Sequence, residues 1–145
     1  MLRLTEHFGF TVRNLETSVR FYSALLGQAP FYEASEARDY VGRVVGYPGC
    51  SLKLAFFHLP ETDSFLELLE YVAPIGVDVS LETCNPGVAH LCFVVDDLDE
   101  EYRRIATIGG VFRHDRPVQR ADGGRAVYLR DPDGITIELQ EPTHA

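Results

Sequence analysis

The sequence predicts an α+β fold that consists of two tandem βαβββ modules. The strongest indication is an internal repeat, because the segment HFGFTVRNL from His7 recurs as HLCFVVDDL from His90. A second repeat later in each half matches LELLEY, which contains Glu67, to IELQEP, which contains Glu138. Each half begins with the alternation of a strand and continues with apolar residues at helical spacing. The chain is therefore predicted to be a doubled unit, with one histidine near the start and one glutamate near the end of each half.

The length of the chain and a linker define the module boundaries. At 145 residues the chain has the size of one domain, so residues 1–145 are assigned to a single domain. Residues 72–88 contain several Pro and Gly residues and have mixed polarity, as is typical of a linker. We therefore predict the first module over residues 1–75 and the second over residues 86–145.

The first module begins with a predicted strand from His7 to Val12, where polar or small residues alternate with bulky ones. Asn14 is a suitable helix N-cap, and Gly27 is expected to end the helix that follows. Residues 30–46 are ambiguous, and their tyrosines and valines, among them Val44 and Val45, suggest a strand. Two further strands are predicted at Ser51–Phe57 and Phe65–Tyr71.

The second module repeats this order. A strand is predicted at His90–Val95, and Asp97 is expected to cap a helix that ends at Gly109 and Gly110. The Asp-Pro-Asp-Gly run at residues 131–134 is a strong turn signal between the last two strands. The remaining strands are predicted at Val111–Phe112, Arg125–Arg130 and Ile135–Gln140. The whole chain is thus expected to have about eight strands.

Strand alternation places the repeated histidines on the less crowded face of each sheet. The face of His7 also carries Gly9, and the face of His90 carries Cys92, whereas bulky residues point to the opposite side. We expect the bulky side to pack on the helix and the histidine side to be concave, with space for a ligand. Glu70 and Glu141 have the opposite parity to the repeated glutamates, so they are expected to point outward or to cap a helix.

Four side chains in matching positions predict a metal site. Alone, a strand histidine or glutamate is most often a solvated surface residue, but a duplicated set of both types has a different meaning. A carboxylate within a strand is costly to bury without a cation or hydrogen bonds. Two imidazoles and two carboxylates suit a divalent metal such as Zn, Ni, Co, Mn or Fe. The predicted ligands are His7, Glu67, His90 and Glu138.

Composition and charge exclude several classes of function. With 46% hydrophobic and 24% charged residues, the chain has a globular composition, and its net charge of −9 argues against nucleic-acid binding. Three cysteines, Cys50, Cys84 and Cys92, have no paired spacing, which favours a reducing compartment. Neither a signal peptide nor a membrane-spanning run of about 20 apolar residues is recognisable. A cytoplasmic protein with a small-molecule substrate is expected.

The motifs together resemble the vicinal oxygen chelate superfamily, which includes glyoxalase I, methylmalonyl-CoA epimerase, extradiol dioxygenases and bleomycin-resistance proteins. The resemblance is carried by HFGFTVRNLETSVRFYSALLG, FLELLEY, HLCFVVDDL and YLRDPDGITIELQEP, which together span nearly the whole chain. It implies that two βαβββ modules form a curved mixed sheet around one metal. The ligand positions implied by the resemblance are His7, Glu67, His90 and Glu138.

The resemblance implies a metal-dependent isomerase or lyase of the glyoxalase/epimerase type. Such an enzyme moves a proton next to a carbonyl through a metal-chelated enolate of a small 2-oxo, 2-hydroxy or thioester substrate. Glu138 is favoured as the catalytic base, because its strand places polar residues beside it, and Glu67 is the alternative. A homodimer is expected, since the edge of a small sheet favours pairing.

Two other branches of the superfamily remain as alternatives. An Fe(II)-dependent extradiol dioxygenase resembles a site of His7, His90 and Glu138, but Glu67 would then be an additional ligand. The histidine that this branch carries before its tyrosine, here Tyr128, has no counterpart in Gln119–Ala121. A metal-free drug- or ligand-binding resistance protein is the third interpretation, and the presence of all four ligand positions argues against it.

Other polar residues receive less specific expectations. His58 and His144 are expected at the surface, and His114 could contribute to a substrate loop. Arg125 and Arg130 could contact an anionic substrate, although exposed strand charges are more common. Lys53 aligns with the position where the epimerase branch has a second base, which argues against a two-carboxylate epimerase.

Overall fold

The computed structural model describes residues 1–143, which form two compact units, Met1–Asp78 and the described residues from Val79 onward. The first unit contains β1 (His7–Thr11), α1 (Leu15–Leu26), β2 (Tyr32–Glu36), α2 (Asp39–Val45), β3 (Ser51–His58) and β4 (Phe65–Ala73). The second contains β5 (His90–Val94), α3 (Leu98–Thr107), β6 (Val111–Phe112), β7 (Val118–Gln119), β8 (Arg125–Arg130) and β9 (Thr136–Glu141). The assignment of residues 1–145 to one domain, with modules at 1–75 and 86–145, stays a prediction.

Each unit has one mixed sheet with the same arrangement of its main strands. The strand order is β1-β4-β3-β2 in the first unit and β5-β9-β8-β6 in the second, where β7 also pairs with β8. The first strand of each unit runs parallel to the last, and all other pairs are antiparallel. The predicted α+β fold of two βαβββ-like modules is therefore confirmed as two mixed sheets.

Helix caps define where the principal helices begin and end. Asn14 accepts a hydrogen bond of 2.8 Å from the Thr17 N–H, and Asp97 accepts one of 2.8 Å from the Glu100 N–H. Gly27 ends α1 with a φ of 67°, a left-handed conformation that favours glycine. These caps confirm the predicted helix starts and the predicted end of α1. Among the described residues, no helix has the length and apolar character needed to cross a membrane.

Helices α1 and α3 each pack on one face of their sheet and build the main core of their unit. Tyr22 of α1 is fully buried, and its ring lies 6.5 Å from that of Phe57 on β3. In the second unit, Leu98 and Ile105 of α3 are fully buried, as is Leu129 on β8. Because strand residues alternate between faces, this packing leaves the opposite face of each sheet to the repeated histidines and glutamates.

The second glutamate of each repeat caps a helix. The Glu70 carboxylate accepts a 2.7 Å hydrogen bond from the Leu15 N–H, and the Glu141 carboxylate accepts one of 2.8 Å from the Leu98 N–H. A carboxylate at a helix N-terminus satisfies a free N–H group and interacts favourably with the helix dipole. Lys53 also donates a 2.9 Å hydrogen bond to the Glu70 carboxylate. Its ammonium group therefore lies on the face of the sheet that packs on α1.

The strand suggested within residues 30–46 is present as β2, which begins at Tyr32, but the expectation is wrong for Val44 and Val45, because both residues lie in α2. Their helix begins after Arg38 and ends at Gly46, whose φ is 80°. Val41 and Val45 pack on Leu52 and Leu54, so tertiary contacts outweigh the strand preference of valine. The described residues contain nine strands rather than about eight, because the two-residue β7 was not predicted.

Candidate metal centre

The first unit brings His7 and Glu67 together on the face opposite α1. Strands β1 and β4 are parallel, and their register places Gly9 beside Glu67 and His7 beside Phe65. His7 Nε2 lies 3.3 Å from Glu67 Oε2. A Cβ atom at position 9 would lie 3.5 Å from the same oxygen. The missing side chain of Gly9 therefore leaves the space in front of the carboxylate open.

The surroundings of Glu67 are apolar and aromatic. Phe56 is its register partner on β3, and Phe65 and Leu69 are its neighbours on the same face of β4. The His7 ring stacks on Phe65 at a centroid distance of 5.2 Å. Burial raises the pKa of Glu67, while the nearby His7 ring acts in the opposite direction. The environment thus disfavours an uncompensated negative charge on Glu67.

The second unit repeats the pair with His90 and Glu138. Strands β5 and β9 are parallel, with Cys92 beside Glu138 in the position that corresponds to Gly9. His90 Nε2 lies 3.0 Å from Glu138 Oε2, and 13% of the Glu138 side chain is exposed. Burial, followed by the Glu138 carboxylate, raises the pKa of the Cys92 thiol to about 11, so the thiol is protonated at neutral pH.

Polar side chains surround Glu138. The Gln140 side-chain amide donates a 2.7 Å hydrogen bond to Glu138 Oε1, and Arg120 donates one of 2.5 Å to the side-chain oxygen Oε1 of Gln140. Tyr128 is the register partner of Glu138 on β8, and its hydroxyl lies 3.5 Å from His90 Nε2. One oxygen of Glu138 is therefore oriented by Gln140, while the other faces the imidazole.

The chemistry and spacing of each pair fit a divalent metal. Neighbouring ligands bound at about 2.0–2.2 Å in octahedral or tetrahedral geometry are about 2.8–3.6 Å apart. The nitrogen–oxygen distances of 3.3 Å and 3.0 Å agree with that spacing. Among the described residues, no cluster of three or more His, Cys, Asp or Glu side chains is positioned to hold a metal. Each pair by itself offers two ligands.

The other predicted histidines have no part in these pairs. His58 is exposed and stacks on Phe31 with a centroid distance of 4.1 Å. The His114 ring is exposed, and its Nδ1 lies 3.0 Å from the Arg116 carbonyl oxygen. His144 lies outside the described residues, so its predicted surface position is not tested. Surface exposure is confirmed for His58.

The two arginines that could meet an anion lie on opposite faces of β8. Arg125 donates to Asp99 at 2.6 Å and to Glu141 at 2.7 Å, and therefore serves the N-terminal region of α3. Arg130 has the parity of Tyr128 and is the register partner of Thr136, on the face that carries the His90–Glu138 pair. Its guanidinium group forms an ion pair with Glu82.

Sequence reasoning missed several residues that shape these pairs. Helix α2 was not predicted, although it covers part of the first sheet on the face of Glu67. The roles of Gln140 and Arg120 were also missed, because the hydrogen bond between them joins side chains from β9 and the loop after β7. The alternation of β9 was the available signal, since it places Gln140 on the same face as Glu138.

The fold and the two donor pairs define a protein of duplicated βαβββ-like modules, each with a histidine and a glutamate on adjacent parallel strands. The chain belongs to the Glyoxalase/Bleomycin resistance protein/Dioxygenase superfamily, whose family model matches residues 5–139.

Relatives and solved structures are similar to this chain over most of their length. A lactoylglutathione lyase of Salmonella typhimurium is 31% identical, with 96% of this chain and 93% of the relative covered. The metallothiol transferase FosB of Shouchella clausii is 26% identical, with 100% of this chain and 84% of the relative covered. The crystal structure of a glyoxalase family protein from Bacillus cereus has a TM-score of 0.87 at 24% identity, covering 99% of this chain and 96% of that chain.

Proposed function

We propose that this protein is a metal-dependent isomerase or lyase of the glyoxalase/epimerase type, which moves a proton on a carbon next to a carbonyl. The observation that carries the proposal is the duplicated His–Glu pair, with nitrogen–oxygen distances of 3.3 Å and 3.0 Å. The similarity to a lactoylglutathione lyase supports this choice among the activities of the superfamily.

The proposed metal ligands are His7, Glu67, His90 and Glu138. A bound divalent ion such as Zn, Ni, Co, Mn or Fe supplies Lewis-acid stabilisation of the negative charge that develops on a carbonyl oxygen when the neighbouring carbon loses a proton. The apolar side chains around Glu67 leave only 17% of its side chain exposed. A low-dielectric environment strengthens electrostatic interactions with a bound cation.

Glu138 is the proposed catalytic base, and Glu67 is the alternative. Gln140 holds Oε1 of Glu138, so Oε2 is the atom that would accept the substrate proton and return it. The hydrogen bond from Gln140 keeps the carboxylate oriented during the transfer. Glu67 has no comparable side-chain donor on its own strand, where its neighbours on the same face are Phe65 and Leu69.

The decisive experiment combines metal analysis with proton exchange. Purified protein is analysed for bound metal, and the loaded protein is then incubated in D₂O with small 2-oxo, 2-hydroxy and thioester acids. We expect deuterium to enter the carbon next to the carbonyl of the true substrate, as measured by NMR. Protein that retains no divalent metal after exposure to each of the five candidate ions would contradict the proposal.

A second candidate function is metal-dependent transfer of a thiol to a small molecule. It is favoured by the similarity to a metallothiol transferase over the whole of this chain. The two functions give different products, because thiol transfer forms a new carbon–sulfur bond and proton transfer does not. Mass spectrometry of reactions that contain a low-molecular-weight thiol would detect such an adduct.

Ring cleavage by a dioxygenase has less support. The segment Gln119–Ala121 contains Arg120 rather than a histidine, and Glu67 adds a second carboxylate to the proposed ligands. Oxygen uptake with catechols after anaerobic iron loading would favour a dioxygenase over an isomerase or lyase.

A homodimer is also part of the proposal. Strands β1 and β5 are edge strands of their sheets, and each carries one of the proposed histidine ligands. Sedimentation analysis gives the number of chains in the particle, and metal analysis gives the number of ions per chain. A strictly monomeric protein with full metal content would contradict the dimer while leaving the metal site intact.

A further inference from the structure

Two arginines converge on one carboxylate in the second unit. The Arg113 guanidinium group donates a 2.7 Å hydrogen bond to one oxygen of Glu82, and Arg130 donates to the other. These two hydrogen bonds hold the pKa of the Glu82 carboxyl group below its usual range. Arg130 lies on β8 and Arg113 directly follows β6, so the two guanidinium groups form a fork suited to an oxyanion.

This arginine fork lies on the same face as the His90–Glu138 pair. The Arg113 N–H donates to the Tyr128 carbonyl oxygen at 2.9 Å, which places Arg113 opposite Tyr128 and extends the pairing of β6 with β8. Arg130 lies two residues from Tyr128 on β8 and therefore shares its face. The fork thus borders Tyr128, whose hydroxyl lies 3.5 Å from His90 Nε2.

Polar atoms beside the fork lack partners. Among the described residues, the buried side-chain atoms without a hydrogen-bond partner are Arg130 Nε and Thr136 Oγ1. Thr136 is 1% exposed and is the register partner of both Arg130 and His90. Buried polar groups are normally paired, because an unpaired one destabilises the folded protein. With Glu82 in place, two buried polar atoms beside it therefore have no hydrogen-bond partner, and a ligand could supply one.

The carboxylate that engages the fork comes from a segment without regular structure. Residues 75–82 contain no helix or strand, and about half of the Glu82 side chain is exposed. Beyond Glu82 the chain forms a local turn, in which the Asn85 N–H donates to the Glu82 carbonyl oxygen at 2.9 Å. Movement of this segment would release the arginines without disturbing a strand.

We propose that Arg113 and Arg130 form an oxyanion subsite, that Thr136 lies at its base, and that Glu82 is an internal competitor for it. The ligand class is a small molecule with a carboxylate, phosphate or phosphonate group. That this molecule is the substrate rests on the proposed function, whereas binding of the anion does not. The subsite places the negatively charged end of the ligand beside Tyr128 and directs its remainder towards the His90–Glu138 pair.

The test measures anion binding to the metal-free, full-length protein. Malonate and inorganic phosphate are titrated by calorimetry at constant ionic strength, with malonamide as the neutral control. We expect Glu82→Gln to bind at least one of the anions about tenfold more tightly than the natural protein, because the competing charge is removed. Arg113→Gln and Arg130→Gln should each bind it at least about tenfold more weakly.

Matched variants control for net charge. Glu16→Gln removes one negative charge, as Glu82→Gln does, and Arg43→Gln removes one positive charge, as each arginine variant does. Both control residues lie at exposed helix positions, so neither variant should change anion binding. If Glu16→Gln strengthens binding as much as Glu82→Gln does, the effect is non-specific and the proposal is wrong. If Glu82→Gln binds neither anion more tightly than the natural protein, the Glu82 ion pairs serve only to hold the segment to the sheet.

A second measurement covers the case in which Glu82→Gln fails to fold. Saturation of the natural protein with the bound anion should increase hydrogen exchange at the Asn85 amide by at least about tenfold, because displaced Glu82 no longer holds the segment. Unchanged exchange at saturation would contradict the competitor role. Both measurements use metal-free protein, so loss of metal binding would overturn the proposed function without affecting this test.

Discussion

The two donor pairs have the same backbone geometry and different surroundings. In both units a histidine on the first strand faces a glutamate on the parallel last strand, at 3.3 Å in the first unit and 3.0 Å in the second. Phe56 is the register partner of Glu67, whereas Tyr128 is the register partner of Glu138. The first pair therefore lies in an aromatic environment, and the second lies in a hydrogen-bonded polar one.

This difference shows how a duplicated unit can assign separate tasks to equivalent residues. Both pairs keep the donor atoms that a metal requires, because donor chemistry depends on the residue type and the strand register. The residues around the pairs are free to differ, since they are not among the proposed metal ligands. We infer that Glu67 serves mainly as a ligand and that Glu138 is placed to move a proton.

Substitution of the two glutamates tests this division most strongly. We expect Glu138→Gln to lower kcat by about 10²–10⁴-fold at saturating metal, because it removes the general base. Glu67→Gln should act mainly on metal affinity, with a much smaller loss of kcat once metal is supplied in excess. Steady-state kinetics over a range of metal concentrations separates the two effects. If Glu67→Gln lowers kcat more than Glu138→Gln does at saturating metal, Glu67 is the base.

Removal of either histidine should abolish tight metal binding. We expect His7→Ala and His90→Ala each to weaken metal affinity by more than about 100-fold, since even residues that only orient a ligand contribute about 10–100-fold. Elemental analysis after dialysis and chelator competition measures the loss. His58→Ala is the matched control and should retain its metal. Full occupancy in both variants would remove the basis of the ligand assignment.

The aromatic partners of the glutamates provide a smaller test. We expect Tyr128→Phe to lower kcat/KM by about tenfold with unchanged metal content, because one hydrogen bond near the reacting atoms is lost. Phe56→Tyr places a hydroxyl at the equivalent position of the first unit and should bring no gain. A drop in the metal content of Tyr128→Phe would instead show that the Tyr128 hydroxyl orients His90 for metal binding.

The smallest effect concerns stability and pH in the metal-free protein. Burial raises the pKa of Glu67 in the folded state, so the folded state binds more protons than the unfolded state between the ordinary Glu pKa and the raised one. Stability from this residue therefore falls as the pH rises through that window. Glu67→Gln should therefore raise the free energy of unfolding at pH 7, because the amide carries no charge to bury.

The pH dependence gives this last prediction its control. Below a pH of about 4, Glu67 is protonated in both states, so the advantage of Glu67→Gln should disappear. Glu138→Gln should bring no comparable gain at pH 7, because Gln140 already donates to the Glu138 carboxylate. Urea unfolding of the natural protein, Glu67→Gln and Glu138→Gln, at pH 7 and at a pH below about 4, measures these differences. An equal gain in both variants would show that the surroundings of the two carboxylates are energetically equivalent.

Much of the fold was predictable because its signals are local. Asn14 and Asp97 are caps whose side chains bond within the next helical turn, and Gly27 ends a helix through its own backbone. Strand alternation correctly separated Glu67 from Glu70. Helix α2 was not predictable in this way, because Val41 and Val45 become helical through packing on a neighbouring sheet rather than through their own preference.

The sequence alone determined the family, the duplicated modules and the face on which each histidine and glutamate lies, because repeats and alternation are properties of neighbouring residues. Tertiary structure decided the surroundings of those residues. The aromatic environment of Glu67, the support of Glu138 by Gln140 and the arginine fork around Glu82 all depend on strand register or on contacts between residues far apart in the chain. Such contacts bring distant side chains within a few ångströms, and no local pattern encodes that proximity.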